Sequence, residues 1–287
     1  MTPQANSIIR LSQATLHLLQ GVLDAACQPI PADFQPWFLQ GHAQPLGMMA
    51  VPRAETLAKH LPADLPLRSG PGGWVWHAQD CSAQDRSRVL QHIALVLKEQ
   101  GQITGWRDEA HACWGHLQGD WPYAKPELFR LERAAFRHWG LRSHAAHAHG
   151  FTTDGRMWCA RRAMNKATDP GLLDNLAAGG LPAGESPLMC AAREVGEEAG
   201  LTRLPSDFLP HMQEVLTERV VPEGWHSERL FVYTLLLETD VQPVNQDGEV
   251  SEFMCLSLPE VVQRIKNNEF TPDAACAIAS TLISIQP

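Results

Sequence analysis

The spacing of apolar residues changes several times along the chain, and each change marks an expected element. Across residues 7–27 the apolar positions are Ile8, Ile9, Leu11, Leu16, Leu18, Leu19, Val22 and Leu23, the spacing of an amphipathic helix. Pro29, Pro31 and Pro36 end it, since proline removes a backbone donor. Residues 37–51 read as short strands around Gly41 and Gly47, followed by helices at 53–60 and 83–99, the second closing at Gly101. Residues 126–139 read as a further helix, with Leu128, Leu131, Ala135 and Phe136 on one face. Pro126 suits its first turn and Gly140 its left-handed end.

Beyond that point strands and helices interleave. Strands are expected at 143–152 and 157–162 around an Asp154-Gly155 turn, then at 213–221, 229–238 and 252–258. Helices are expected at 187–199, 259–267 and 273–285. This order argues for a mixed α/β (α+β) architecture. A chain of 287 residues is long enough for two modest domains, and a boundary falls within 120–140. The division expected is a smaller N-terminal accessory α+β domain at 1–125 and a second domain at 126–287.

Charge changes the picture more than hydropathy does. The net charge is −9. Residues 1–140 hold 12 basic and 12 acidic side chains, whereas residues 141–287 hold 11 and 20. A diffuse grip on nucleic acid is disfavoured, because it depends on lysines and arginines neutralising phosphates. A local acidic cluster that needs a cation is favoured. No apolar run reaches the ~18 residues of a membrane span, so no membrane partner is expected. The polar Met1–Arg10 stretch lacks a secretory core. Seven scattered cysteines without a CxxC pair argue against a disulfide framework and for a reducing, cytoplasmic compartment.

The acidic cluster is found in the run Gly179-Gly-Leu-Pro-Ala-Gly-Glu185-Ser-Pro-Leu-Met-Cys-Ala-Ala-Arg193-Glu194-Val-Gly-Glu197-Glu198-Ala-Gly200-Leu201. Ser186 and Pro187 suit a helix start and Gly200 its end. Glu194, Glu197 and Glu198 are then spaced i, i+3, i+4 and share a face. Arg193 is expected to point off the other side, toward Glu185. Three like charges on adjacent turns serve no packing purpose, and a hard divalent cation resolves their repulsion. The bland alternative is a solvated acidic face, but the run also fits G-x5-E-x7-R-E-U-x-E-E-x-G-U, where U is a bulky aliphatic, at every specified position. It resembles the Nudix box.

That resemblance implies an α/β/α sandwich with a loop–helix–loop holding Mg²⁺ or Mn²⁺. By position, Glu194, Glu197 and Glu198 match its metal ligands, Gly179 matches a glycine whose carbonyl joins them, and Glu185 with Arg193 matches a bracing pair. The implied chemistry is attack of water on a phosphorus of a diphosphate, with the base to come from Glu198, Glu249 or Glu252. More of the chain is similar to the Nudix subfamily associated with thiamine pyrophosphokinase, which has an extra N-terminal domain. The stretches are Phe129-Arg-Leu-Glu-Arg-Ala-Ala-Phe136, Ala160-Arg-Arg162, Pro170 through Gly180, Asp247-Gly-Glu249, Gly105-Trp-Arg-Asp108 and Leu46-Gly47. This implies hydrolysis of thiamine diphosphate, or of oxidised forms of it, to the monophosphate. Trp158 and Trp225 are then candidates to stack on the cationic thiazolium, should either lie near the site.

Other residues carry weaker signals. At least one of Arg161, Arg162 and Lys166 is expected to meet phosphate, and Asp174 and Asn175 are candidates for substrate hydrogen bonds or simply for a turn. Arg107 and Asp108 read as an ordinary ion pair, and Cys190 as packing. His144, His147 and His149 read as core or edge histidines, because no further ligand completes a metal set. The expected partners are a small-molecule diphosphate and a second copy of the chain. Rival readings are other diphosphates (ADP-ribose, NADH, coenzyme A, nucleotide sugars, dinucleotides), a non-catalytic ligand-binding sensor, and an isopentenyl-diphosphate isomerase. The isomerase reading lacks a cysteine in 173–180, and a sensor would be expected to have lost box carboxylates.

Overall fold

A computed structural model describes residues 10–286 apart from 120, 122 and 124. In chain order the elements are α1 (Gln13–Asp24), β1 (Phe34–Leu39), β2 (Gly47–Ala50), α2 (Val51–His60), β3 (Leu67–Gly70), β4 (Gly73–Trp76), α3 (Ala83–Glu99), β5 (Ala110–Cys113), β6 (Phe129–Glu132) and α4 (Arg133–His138). Then come β7 (Arg142–Thr152), β8 (Arg156–Arg162), β9 (Leu173–Asp174), β10 (Ala177–Gly180), α5 (Pro187–Ala199), β11 (Gln213–Val221), β12 (Gly224–Leu237), β13 (Val250–Ser257), α6 (Leu258–Lys266) and α7 (Pro272–Ser284). No described helix is long and apolar enough to cross a membrane.

The second half is a mixed sheet in the order β11-β12-β7-β8-β13 between helical layers. Alternation along β7 decides what each face meets. Ala146 and Ala148 pack with Cys190, Ala191 and Val195 of α5, while Ala145 packs with Cys276 and Ala277 of α7. β7 changes partners along its length. Its Ala145–Ala148 stretch pairs with β10, and Gly150 and Phe151 pair with β8. The sheet forks there, and β9 pairs with β8 on the other prong. The fork opens a gap that side chains can line.

The first half builds its own four-stranded sheet, β2-β1-β4-β3, with Trp37 and Trp76 buried at its centre. Packing does not follow a cut at residue 125. Phe129, Leu131, Ala135 and Phe136 belong to this first core, whereas Leu19 of α1 packs into the last core, with Ile278 and Leu282 of α7. The N-terminal helix is therefore a layer of the second sheet. It spans Gln13–Asp24, with Ser12 capping Thr15 N–H at 3.1 Å. That is shorter than the expected 7–27, of which residues 7–9 lie outside the described chain.

The helix expected at 126–139 is a correction. Phe129–Glu132 is a strand paired antiparallel to β5, and only Arg133–His138 is helical. Long-range pairing with Ala110–Cys113 outweighs the local helical spacing. The Glu132 carboxylate then accepts Ala134 N–H at 3.2 Å and starts α4.

Three histidines are buried where a charge finds no counterpart. His144 lies among Trp114, Trp121, Tyr123 and Phe231, His149 meets only the Ala277 carbonyl through its ring at 3.3 Å, and His138 has neither ring nitrogen hydrogen-bonded to a side chain. Burial pushes His144 and His149 down to about 3 and His138 down to about 4. Between these values and the ~6.5 of an unfolded histidine, the unfolded chain binds more protons. Stability is therefore whole above ~6.5 and falls on acidification, by up to about 1.4 kcal/mol per pH unit for each histidine. Urea unfolding at pH 7.5 and 5.5 should show the midpoint drop. A pH-independent midpoint would contradict the neutral, buried state of these rings.

Candidate active site

The fork in the sheet opens a polar cleft of about 340 Å³, lined from both prongs by Ala145, His147, Ala178 and Gly179 on one side and Arg162 and Asp174 on the other. α5 forms the next wall. Ser186 accepts Met189 N–H at 3.3 Å, Pro187 occupies the first turn, and Gly200 closes the helix at φ 67°, as the sequence dictates. The helix buries Cys190, Ala191 and Val195, which turns Glu194 and Glu197 into the cleft.

Arg193 is the hub of this wall, not a residue on the other side of the helix. It donates to Glu185 from Nε (3.1 Å) and Nη2 (2.9 Å), and from Nη1 to Glu194 (2.7 Å) and Glu197 (2.8 Å). The correction has a steric origin: the long side chain bends back along the helix surface to reach three carboxylates. Glu185 itself stays behind the guanidinium and does not line the cleft.

Glu198 lies beneath the cleft, buried, with one oxygen accepting Ala178 N–H at 3.0 Å. Burial, then the charge of Glu194, raises its carboxyl well above the ordinary range. Burial likewise raises Glu194, against the pull of Arg193. Both are carboxylates that lack enough positive charge. Gly179 explains how close they come: a Cβ there would overlap the Glu194 carboxylate. The three carboxylates and the Gly179 carbonyl offer only oxygen donors, the chemistry that suits Mg²⁺ or Mn²⁺, and the missing positive charge is what such an ion would supply; among the described residues the three glutamates are not yet gathered around one point, as His226, Glu228 and Asp273 are. The residues fit a divalent cation.

The remaining expected residues divide. Arg162 and Lys166 line the cleft. Arg162 donates to Asp174 at 2.9 Å, and Lys166 is ion-paired to Glu249, which also lines the cleft. Burial opposes ionisation of Glu249, but the Lys166 ammonium holds its carboxyl below the ordinary value. Arg161 and Glu252 are not brought into the cleft. They pair with each other at 3.3 Å across β8 and β13, with Glu252 more than half exposed, because alternation turns Arg161 away from the face Arg162 uses. Asn175 is buried, and its oxygen meets His147 Nδ1 at 2.6 Å.

Neither of the candidate tryptophans lies at the cleft. Trp158 is buried in the core under α5, and Trp225 is buried against Phe34, 5.9 Å between ring centroids. Nor do Arg107 and Asp108 pair: Asp108 takes the Trp106 indole N–H at 2.8 Å, and Arg107 lines the cleft.

Some of the charged lining residues that sequence reading missed come from before β7. Glu109, Arg133 and Arg137 line the cleft. Only tertiary packing brings them there. α4 is set against the start of β12, where a Cβ on Gly224 (φ 144°) would overlap the Arg137 carbonyl. On the far side Glu228 and Asp273 also line the cleft, Asp273 held by Arg219 at 2.7 and 2.8 Å. Glu228 and Asp273, both partly exposed to the cleft, form a charge network with the buried His226, 3.5 Å from Asp273. Their spacing in sequence gave no signal of it.

Residues 142–277 match the NUDIX domain model. Among curated relatives, chloroplastic Nudix hydrolase 24 of Arabidopsis thaliana is 31% identical over 198 residues, covering 68% of this chain and 53% of the relative. Chloroplastic Nudix hydrolase 20 of the same plant is 33% identical over 190 residues, covering 65% and 49%. The chain thus spans about half the length of these relatives. Among solved structures, the MutT protein of Methanosarcina mazei Go1 superposes with a TM-score of 0.39 at 21% identity, covering 50% of this chain and 94% of that one. The chloroplastic relatives overturn the cytoplasmic compartment expected from cysteine usage, which reports only that disulfides are not needed. The sequence match and the complete box on β10 and α5 together establish that residues 142–277 of this chain are a Nudix domain.

Proposed function

We infer that the chain is a divalent-metal-dependent pyrophosphohydrolase acting on a small diphosphate compound. The observation that carries this reading is that Glu194 and Glu197 of α5 line a cleft that also holds arginines, with Glu198 of the same helix buried beneath it against the Gly179 strand. These three carboxylates and the Gly179 carbonyl would hold Mg²⁺ or Mn²⁺, which supplies charge neutralisation and a more acidic water. Arg193 keeps Glu194 and Glu197 oriented while Glu185 anchors it from behind. Arg162 and Lys166 face the phosphates. Glu249 accepts the proton of the attacking water: it is open to the cleft and held ionised, whereas Glu252 lies outside. The leading substrate is thiamine diphosphate or an oxidised analogue, on the resemblance of the segments outside the box. ADP-ribose, NADH and coenzyme A are the alternatives, and a homodimer is the assembly we expect.

Phosphate release with Mg²⁺ over a panel of thiamine diphosphate, its oxidised analogues, ADP-ribose, NADH and coenzyme A tests the reading. Turnover abolished by EDTA is expected, and Glu197→Gln should lower kcat by on the order of 100-fold while leaving the fold intact, since the side chain is half-exposed. Near-wild-type turnover by a folded E197Q protein would remove the mechanism.

Gly179→Ala tests the close approach at the strand. The added methyl displaces Glu194, at about 1–3 kcal/mol of stability and with weaker Mn²⁺ binding. Denaturant unfolding and Mn²⁺ titration read the two effects, and unchanged values for both would show that Glu194 does not need this space.

A further inference from the structure

α4 presents two arginines one turn apart, Arg133 and Arg137, and both line the cleft. Neither is used up by the protein. Arg133 reaches Glu109 only at 3.5 Å, and Glu109 is already engaged at 2.8 Å by His111. Arg137 meets the Thr168 hydroxyl at 3.5 Å and has no carboxylate partner among the described residues. Three other cleft cations differ. Arg162 is paired to Asp174, Lys166 to Glu249, and Arg193 to three glutamates, whereas Arg107 lines the cleft from the loop before β5 with no ion pair among the described residues. An arginine carries five donors in a fork that matches phosphate oxygens, and here two such forks share one helix face opposite the carboxylates of α5.

Charge then sets the class of ligand. A diphosphate esterified at both ends carries about two negative charges, which one divalent cation balances. A terminal diphosphate has an outer phosphate with an additional charge. The described lining includes no Trp, Phe or Tyr ring on which a second nucleobase could stack.

We propose that Arg133 and Arg137 bind the outer phosphate of a terminal diphosphate, so that the enzyme selects diphosphate monoesters over diphosphates bridging two organic groups. This rests on the pyrophosphohydrolase reading. In the reaction, the oxygen of water forms one P–O bond and one P–O–P linkage breaks. An organic monophosphate and inorganic phosphate leave, and the released proton passes through Glu249 to solvent. The arginines contribute binding and alignment, and the bond-breaking machinery remains on α5.

Calorimetric binding of two non-hydrolysable probes tests the assignment, with Mg²⁺ present: methylenediphosphonate carrying one methyl ester, and the same compound with one methyl ester on each phosphorus. The wild-type protein should bind the monoester at least about 10-fold more tightly, as charge-assisted bidentate contacts allow. The double variant R133A/R137A should lose that preference while keeping its Mn²⁺ affinity and melting temperature, and R133K/R137K should recover part of it. Equal affinity of the wild-type protein for both probes, no binding of either, or an unchanged preference in the alanine variant overturns the proposal. A wild-type protein that discriminates the probes but turns over no diphosphate would instead sink the hydrolase reading alone.

Discussion

Repulsion among Glu194, Glu197 and Glu198 is the constraint around which the second half of the molecule is arranged. Three carboxylates within five residues of one helix cannot all stay ionised close together without a counter-charge. Arg193 supplies part of it, to Glu194 and Glu197, and is itself anchored by Glu185. It does not reach Glu198, which is buried beneath the strand and held only by the Ala178 N–H. Burial leaves that group short of positive charge, and its carboxyl is raised accordingly. The protein holds this unfavourable arrangement because packing elsewhere fixes it: α5 is locked by Cys190, Ala191 and Val195, and β10 is locked by pairing with β7.

The first half completes the cleft. The sheet centred on Trp37 and Trp76 supports α4 through Ala135 and Phe136, and α4 in turn brings Arg133 and Arg137 to the cleft. Arg107 and Glu109 arrive from the loop before β5. The N-terminal segments thus supply much of the positive charge facing the acidic wall. Residues outside 142–277 therefore shape what the Nudix domain can accept, and α1 ties the chain's beginning back onto α7.

How much of this was legible in the sequence depends on the range of the interactions. α5, its cap residues and its acidic face are local, and the spacing of Ser186, Pro187 and Gly200 predicts the helix with its observed bounds. The other helices and most strands expected after 140 follow within one or two residues at each end, but β12 begins at Gly224 rather than 229, and β9 and β10 are not among the expected strands. β6 was misread as helix because its identity depends on β5, about twenty residues earlier. Arg133, Arg137 and Glu109 were missed because nothing nearby marks them as facing a cleft. Trp158 and Trp225 were misplaced because a large aromatic in sequence does not reveal whether core or ligand takes it, and here core packing does. Arg193 meets Glu185 as expected, but its Nη1 also reaches Glu194 and Glu197, because helix position fixes the direction of Cα–Cβ but not that of a guanidinium several bonds further out.

The central claim is that the α5 carboxylates await a divalent cation, and thermal unfolding with Mg²⁺ against EDTA at fixed ionic strength tests it most directly. An ion that binds the native state at a hundred times its Kd adds about 2.7 kcal/mol, a rise on the order of 5 °C for a chain of this size. The account predicts that rise in the wild-type protein and its loss in Glu198→Gln, whose neutral side chain no longer needs the ion. A wild-type melting temperature indifferent to Mg²⁺ and Mn²⁺ would contradict it.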